Sequence, residues 1–193
     1  MPQPLMRRAE ALAAGPYQPA VTPALAPLID AVEAACTCAD GPTADHIVLA
    51  LREAVARPDL LTPEQRLPQS NGYARHLMHC DPAGRFTIVA IVWGPGQFSP
   101  SHGHHTWCAY AVRENALQET LYIWDHAGGA AQPVATDIRP PGYGCFAHAG
   151  LDQIHRLGNP GTEPAISIHV YGVGGARVAT HVNRVVQVAK QVA

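Results

Sequence analysis

His102 and His104 stand two positions apart within GPGQFSPSHGHHTWC, residues 94–108. In an extended strand alternate side chains leave the same face, so both imidazoles project together and offer two nitrogens to one metal ion. His105 then points the other way and reads as a second-sphere or surface residue. Pro95, Gly96 and Pro100 surround the pair with turn chemistry, as expected for a loop feeding a short strand at the mouth of a barrel. A metal needs a third ligand, and the best candidate is His155, on a short predicted strand just before the turn Gly158-Asn159-Pro160. Three neutral imidazoles without thiolate or carboxylate suit Fe(II), Zn(II), Cu or Ni by donor type alone.

A second constellation lies in AISIHVY, residues 165–171. Ser167, His169 and Tyr171 alternate with Ile166, Ile168 and Val170, so one face of this strand is apolar and the other carries a hydroxyl, an imidazole and a phenol. Such groups can hydrogen-bond in sequence, the imidazole fixing the phenol, which reaches toward a metal-bound ligand. The competing reading is a solvated outer face.

The elements that must position these residues follow from pattern. With 193 residues and 47% hydrophobic content, the chain is expected to form one domain over residues 1–193 around a single sizeable core. Residues 1–70 read as a mostly helical layer. Leu25, Leu28, Ile29 and Val32 mark one face of a helix over 24–36. Thr43 is the expected N-cap of a second helix carrying Ile47, Leu51 and Val55 and ended by Pro58, and a short turn starts at Thr62-Pro63-Glu64. From residue 73 to 175 the character is β. FTIVAIVW, residues 86–93, is a continuous apolar run bounded by Gly84 and Gly94, as for a buried strand. Further strands are expected at 107–112, 117–124, 144–147, 154–157 and 165–171. Short, regularly spaced strands without intervening helical patterns predict a mainly β fold, a sandwich or barrel.

The net charge of −2 offers no electrostatic argument for nucleic acid or a membrane surface. The opening stretch lacks the apolar core of a signal peptide and no run approaches a membrane span, so a cytoplasmic setting is expected. The five cysteines, Cys36, Cys38, Cys80, Cys108 and Cys145, are odd in number and irregularly spaced, as suits reduced thiols.

Gly96 followed by HxH, and later His155 with Asn159 four positions on, resembles the two motifs of the cupin superfamily, whose fold is a small antiparallel β-barrel with the metal at its mouth. The usual glutamate ligand of the first motif is missing, because Cys108 and Ala109 occupy its place and Glu119 comes too late; this narrows the resemblance to a three-histidine branch. Taken together, YARHL at 73–77, the stretch at 93–108, QETLY at 118–122, IHRLGN at 154–159 and SIHVY at 167–171 resemble the cysteine dioxygenase family of thiol dioxygenases.

The resemblance implies that His102, His104 and His155 bind a mononuclear non-haem Fe(II), and that Ser167, His169 and Tyr171 form an outer-sphere relay. It places Arg75, the arginine of Tyr-x-Arg, on the substrate carboxylate, which a planar guanidinium fork matches well. It also makes Cys108 the nearest equivalent of the cysteine that forms a thioether with Tyr171. The implied reaction is oxidation of a small thiol by O2 to a sulfinic acid. Arg75 points to L-cysteine and the Trp107 segment to the bacterial 3-mercaptopropionate enzymes, with mercaptosuccinate a further alternative. Tyr73, His76 and Trp107 are candidates to contact a substrate amine. The rival readings are another metal-dependent cupin enzyme, a small-ligand-binding cupin and an oxidase of protein N-terminal cysteine.

Overall fold

The computed structural model describes residues 21–38 and 43–189; the expected helical content of residues 1–20 lies outside the described residues. The first apolar stripe forms α1 (Ala26–Cys36), which buries Leu28, Val32 and Ala35. The second forms α2 (Ala44–Val55), with Ile47, Leu51, Ala54 and Val55 buried. Thr43 takes the N-cap position, but its hydroxyl makes no capping bond; Asp45 in the first turn complements the helix dipole there instead. The other end of α2 is closed from a strand: the Arg113 guanidinium donates to the carbonyls of Val55, Arg57 and Pro58 at 2.8, 2.7 and 3.2 Å. Past Pro58, Thr62 and Gln65 bond reciprocally around a short 3-10 turn at Glu64–Arg66.

Ten strands follow: β1 (Ala74–Cys80), β2 (Thr87–Trp93), β3 (His102–His104), β4 (Cys108–Glu114), β5 (Leu117–Asp125), β6 (Ala130–Arg139), β7 (Gly144–Ala147), β8 (Gly150–Gly158), β9 (Ala165–Tyr171) and β10 (Asn183–Val185). They form two five-stranded antiparallel sheets, ordered β1-β2-β9-β4-β7 and β10-β3-β8-β5-β6. The fold is the mainly β, two-sheet architecture with an N-terminal helical part that the pattern predicts. Every expected strand is present, with β8 starting at Gly150 rather than at 154 because Asp152 and Gln153 are exposed and hide its beginning from an apolar pattern. The sequence pattern does not announce β1, β6 and β10. β6 is exposed along most of its length and carries Pro133, so it shows no buried face to read.

The layering explains the composition of the strands. Ile88, Ala90, Val92, Ala109, Ala111, Ile166, Ile168 and Val170 face the helices in one apolar cluster with Leu28, Val32, Ile47 and Leu51. Val89, Ile91, Trp93, Cys108, Tyr110 and Tyr171 face the other way, toward Leu117 and Leu157 of the second sheet. The first sheet is therefore covered on both sides, and β2 is an unbroken apolar run because neither of its faces meets water.

β9 is the middle strand of this sheet. Tyr171 pairs with Thr87 on one side and Cys108 on the other, His169 with Val89 and Tyr110, and Ser167 with Ile91 and Val112. All seven residues of β9 are buried, so its polar face looks into the barrel and is not a solvated outer surface. Asn159 ties the neighbouring turns together: its Nδ2 donates to the carbonyls of Trp93 (2.9 Å) and Glu163 (2.8 Å), and its backbone carbonyl accepts from Gly96 at 3.0 Å.

Candidate metal centre

The barrel brings His155 to the HxH pair through strand register. In the pairing of β3 with β8, His102 lies opposite His155 and His104 opposite Gly150. The three rings face one another with centroids 4.7 to 5.4 Å apart, and one nitrogen from each lies within 4.8 Å of the others. Gly103 permits this approach. A Cβ there would stand 2.4 Å from the Gly150 carbonyl oxygen and 2.9 Å from Leu151 Cδ2, so only glycine lets β3 close onto β8 between the two histidines. His105 is exposed, on the far side from the cluster.

The chemistry of the donors fits a metal ion. Nδ1 of His102 donates to the Pro100 carbonyl at 2.8 Å, and Nδ1 of His155 donates to Glu119 Oε1 at 2.7 Å, which leaves Nε2 of each ring as a free lone pair. Nδ1 of His104 is buried without a hydrogen-bond partner among the described residues. Burial first, and the neighbouring His155 second, hold His102 far below the ordinary imidazole range and His104 down to about 3. Both rings are thus neutral, as ligands must be. The donor set alone does not select the metal.

Glu119 is not one of the three clustered residues, but it touches one of them, His155. It is 3% exposed, bonded to His155 and paired with Arg139 Nε at 2.8 Å. Burial raises its pKa, yet the His155 hydrogen bond and Arg139 together hold it below the ordinary carboxylate value. The sequence carries a signal for it: Glu119 lies between Leu117 and Leu121, on the inward row of a strand where an apolar residue belongs.

One cavity joins the histidines to Tyr73, Arg75, Cys108, Tyr110, His169, Tyr171 and Asn183, with Ile91, Trp93 and Leu157 as apolar walls. It is narrow, with a cavity volume of about 20 Å³. Among the described residues, no aspartate or glutamate lines it. Arg75 enters from β1, with Nη2 donating to the Tyr73 hydroxyl at 3.2 Å and its guanidinium carbon 5.4 Å from the Tyr73 ring centre. Among the described residues its buried Nε has no hydrogen-bond partner and no carboxylate pairs with it.

On β9 the Trp93 indole donates to Ser167 Oγ at 2.9 Å, and Ser167 Oγ lies 2.8 Å from His169 Nε2. With the indole donating to it, the serine hydroxyl has its own hydrogen to give to that nitrogen. The next contact in the series is a ring contact and not a hydrogen bond: His169 is stacked between Tyr110, at 5.4 Å and 19°, and Tyr171, at 5.7 Å and 25°. Burial pushes the Tyr171 phenol up, against the lowering effect of Arg75, and it likewise raises the Cys108 thiol. Both stay protonated. Cys108 and Tyr171 are directly opposed partners on adjacent strands, the closest cross-strand relation a sheet offers.

Of the residues considered for a substrate amine, Tyr73 lines the cavity. His76 instead bonds the Leu67 carbonyl at 2.9 Å. Trp107 packs outside it, stacked on Phe146 at 5.7 Å and over Gly172, whose missing side chain makes room for the indole. Tyr110 and Asn183 join the site without any motif to single them out. The Tyr110 hydroxyl is buried, and Asn183 enters from β10, opposite His104.

The sequence model of the family described as cysteine dioxygenase type I matches residues 66–177, a span that holds every histidine of the cluster, the β9 face and Arg75. The chain belongs to the cysteine dioxygenase type I family. Among solved structures it is similar to the TT1209 protein of Thermus thermophilus, at 20% identity over 58% of this chain and 96% of that one, with a TM-score of 0.44. It is also similar to a double-stranded β-helix domain protein of Klebsiella pneumoniae, at 21% identity over 62% and 94% of the two chains and TM-score 0.44. An oxalate oxidase matches at 16% identity over 59% of each chain, again with TM-score 0.44. No helix among the described residues of this cysteine dioxygenase family member is long and apolar enough to cross a membrane.

Proposed function

We propose that this chain is a thiol dioxygenase that uses O2 to oxidise a small thiol carboxylate, with L-cysteine as the first substrate, to its sulfinic acid. His102, His104 and His155 would hold a mononuclear non-haem Fe(II). The observation that carries the reading is Arg75. It is a partly buried guanidinium, and among the described residues its buried Nε has no partner and no acidic side chain lines the cavity it shares with the three histidines. An anionic group of the ligand is the missing partner, and a guanidinium meets a carboxylate with two parallel N–H donors.

The iron supplies, when bound, stabilisation of a thiolate and activation of O2. The chain's own residues do the rest. Arg75 fixes the carboxylate end of the substrate, with Tyr73 bracing the guanidinium, so the thiol end is held toward the histidines. Ser167 and Trp93 orient His169, and the stack on His169 orients Tyr171. Tyr171 keeps its proton and offers it as a hydrogen bond at the reacting end of the cavity. Trp93, Ile91 and Leu157 exclude water. The narrow cavity favours a free amino acid or mercaptoacid over a polypeptide. All five cysteines are free thiols, which supports a reducing, cytoplasmic setting.

The test is oxygen uptake by protein loaded anaerobically with Fe(II), against L-cysteine, 3-mercaptopropionate, mercaptosuccinate and cysteamine, with products identified by mass. One O2 consumed per sulfinate formed, with L-cysteine preferred, is the expected result. A preference for 3-mercaptopropionate or mercaptosuccinate keeps the reaction and replaces the substrate. Iron held at the site with no thiol consumed refutes the dioxygenase reading in favour of another metal-dependent cupin enzyme.

A further inference from the structure

Glu119 has no part in the reading above, yet it is a buried carboxylate in hydrogen-bond contact with the histidine cluster. Strand register shows how it gets there. Across β5 and β8, Leu121 lies opposite His155 and Glu119 opposite Leu157, so Glu119 is the diagonal neighbour of His155. Across β5 and β6, Leu117 lies opposite Arg139 and Glu119 opposite Asp137, so Arg139 is the diagonal neighbour of Glu119. The series His155, Glu119, Arg139 therefore crosses three strands, with contacts of 2.7 and 2.8 Å. The Tyr143 ring lies 4.5 Å from the outer guanidinium.

Burying an ion pair is rarely favoured for stability, because apolar residues of similar volume often serve as well or better. What a carboxylate does here that an apolar residue could not is accept the Nδ1 proton of His155. The three histidines differ in this respect: His102 donates to a neutral carbonyl, His104 Nδ1 has no partner among the described residues, and His155 alone donates to an ionised group. We propose that Glu119 is a positioning residue for the metal centre. It fixes His155 in the Nδ1–H tautomer with Nε2 turned to the metal, and its negative charge makes His155 the strongest donor of the three. Arg139 holds Glu119 ionised and in place. This inference rests on the metal-binding reading of the three histidines.

The test uses Co(II) as probe, with its dissociation constant measured by chelator competition on the full chain. Two variants are compared with the wild type: Glu119→Gln, which keeps an acceptor and loses the charge, and the double variant E119M/R139M, which replaces the pair by apolar residues. Both are expected to bind Co(II) about 10–100-fold more weakly, as loss of a partner behind a ligating histidine generally does. The visible spectrum of bound Co(II) should shift as well. The double variant should melt no lower than the wild type, which separates positioning from support of the fold. Wild-type affinity in the double variant together with a lowered melting temperature would mean that the pair serves stability, and overturns the inference. So does Glu119→Gln binding Co(II) as tightly as the wild type. A wild type that takes up no Co(II) overturns the metal reading itself, and this inference with it.

Discussion

Replacing Arg75 with methionine should separate activity from stability. The proposed carboxylate fork makes two hydrogen bonds between charged groups, each worth about 1.5–3 kcal/mol. Losing both removes about 3–6 kcal/mol of binding that is carried into the transition state, a fall of about 10²–10⁴ in kcat/KM for L-cysteine. Stability should move otherwise. The buried Nε of Arg75 has no partner among the described residues, and an unsatisfied buried donor costs about 1–3 kcal/mol. Against its relief stand the bond from Nη2 to the Tyr73 hydroxyl, about 1 kcal/mol, and the contact with the Tyr73 ring, about 0.5–1 kcal/mol. The balance lies between about −1 and +1.5 kcal/mol, so the melting temperature of Arg75→Met should stay within a few degrees of that of the wild type. Oxygen-electrode kinetics supply the first readout and calorimetry the second. Cysteamine, which has no carboxylate, is the internal control: its turnover, however slow, should change little. A variant that loses cysteamine and cysteine activity in parallel, with a lowered melting temperature, would refute the anchor and make Arg75 a structural residue.

Three further outcomes follow from particular contacts. Protein incubated with iron, substrate and O2 should become lighter by two hydrogens as Cys108 Sγ bonds to the Tyr171 ring, the S–H and ring C–H hydrogens and two electrons passing to O2; an unchanged intact mass with Cys108 freely alkylated sinks this crosslink. Gly103→Ala should retain the fold at a cost of about 1–3 kcal/mol but lose most bound metal, because the new Cβ meets the Gly150 carbonyl; full metal content in elemental analysis would show that β3 tolerates the side chain. The Asp81 carboxylate accepts three bonds from Arg85, at 2.7 to 2.8 Å, and its pKa is lowered from 3.8 to about 2, chiefly by the Arg85 side-chain bond. A depressed folded-state pKa gives stability that is present above the unfolded value and lost as pH falls from about 4 through about 2, here about 2 kcal/mol. Urea unfolding should show that loss in the wild type and not in Asp81→Asn, and identical pH profiles would contradict it.

Much of the architecture is readable because its causes are local. FTIVAIVW announces a strand covered on both faces, and AISIHVY shows its two environments in its alternation, with the apolar half against α1 and α2 and the polar half inside the barrel. The HxH pair is readable for the same reason, since period two is a property of any strand. The rest depends on register between strands far apart in sequence. Nothing near Glu119 says that β5 pairs with β8 so as to set it diagonally behind His155, and nothing near Asn183 says that β10 returns to lie against His104. The order Ser167, His169, Tyr171 suggests a chain of hydrogen bonds, but residues two apart on a strand stand side by side. Two flat rings at that separation meet face to face as readily as they meet edge to edge through a hydrogen bond, and here His169 and Tyr171 stack.

The division of the site between the sheets bears on how it works. The three histidines come from β3 and β8 of one sheet, while Arg75 and the face of Ser167, His169 and Tyr171 come from β1 and β9 of the other. A ligand held by both must span the barrel, so its reach is set by the spacing of the sheets and not by any loop. That spacing is maintained by Val89, Ile91, Trp93 and Tyr110 against Leu117 and Leu157, residues with no chemistry of their own. The helices act from the opposite side, pinning the apolar face of β9 and with it the angle at which Tyr171 meets the cavity. Close-packed interiors transmit such constraints with little slack. The residues around the histidines can therefore be loosened from two directions, by thinning the interior wall or by withdrawing the helical layer, and either changes the distance from Arg75 to the histidine cluster.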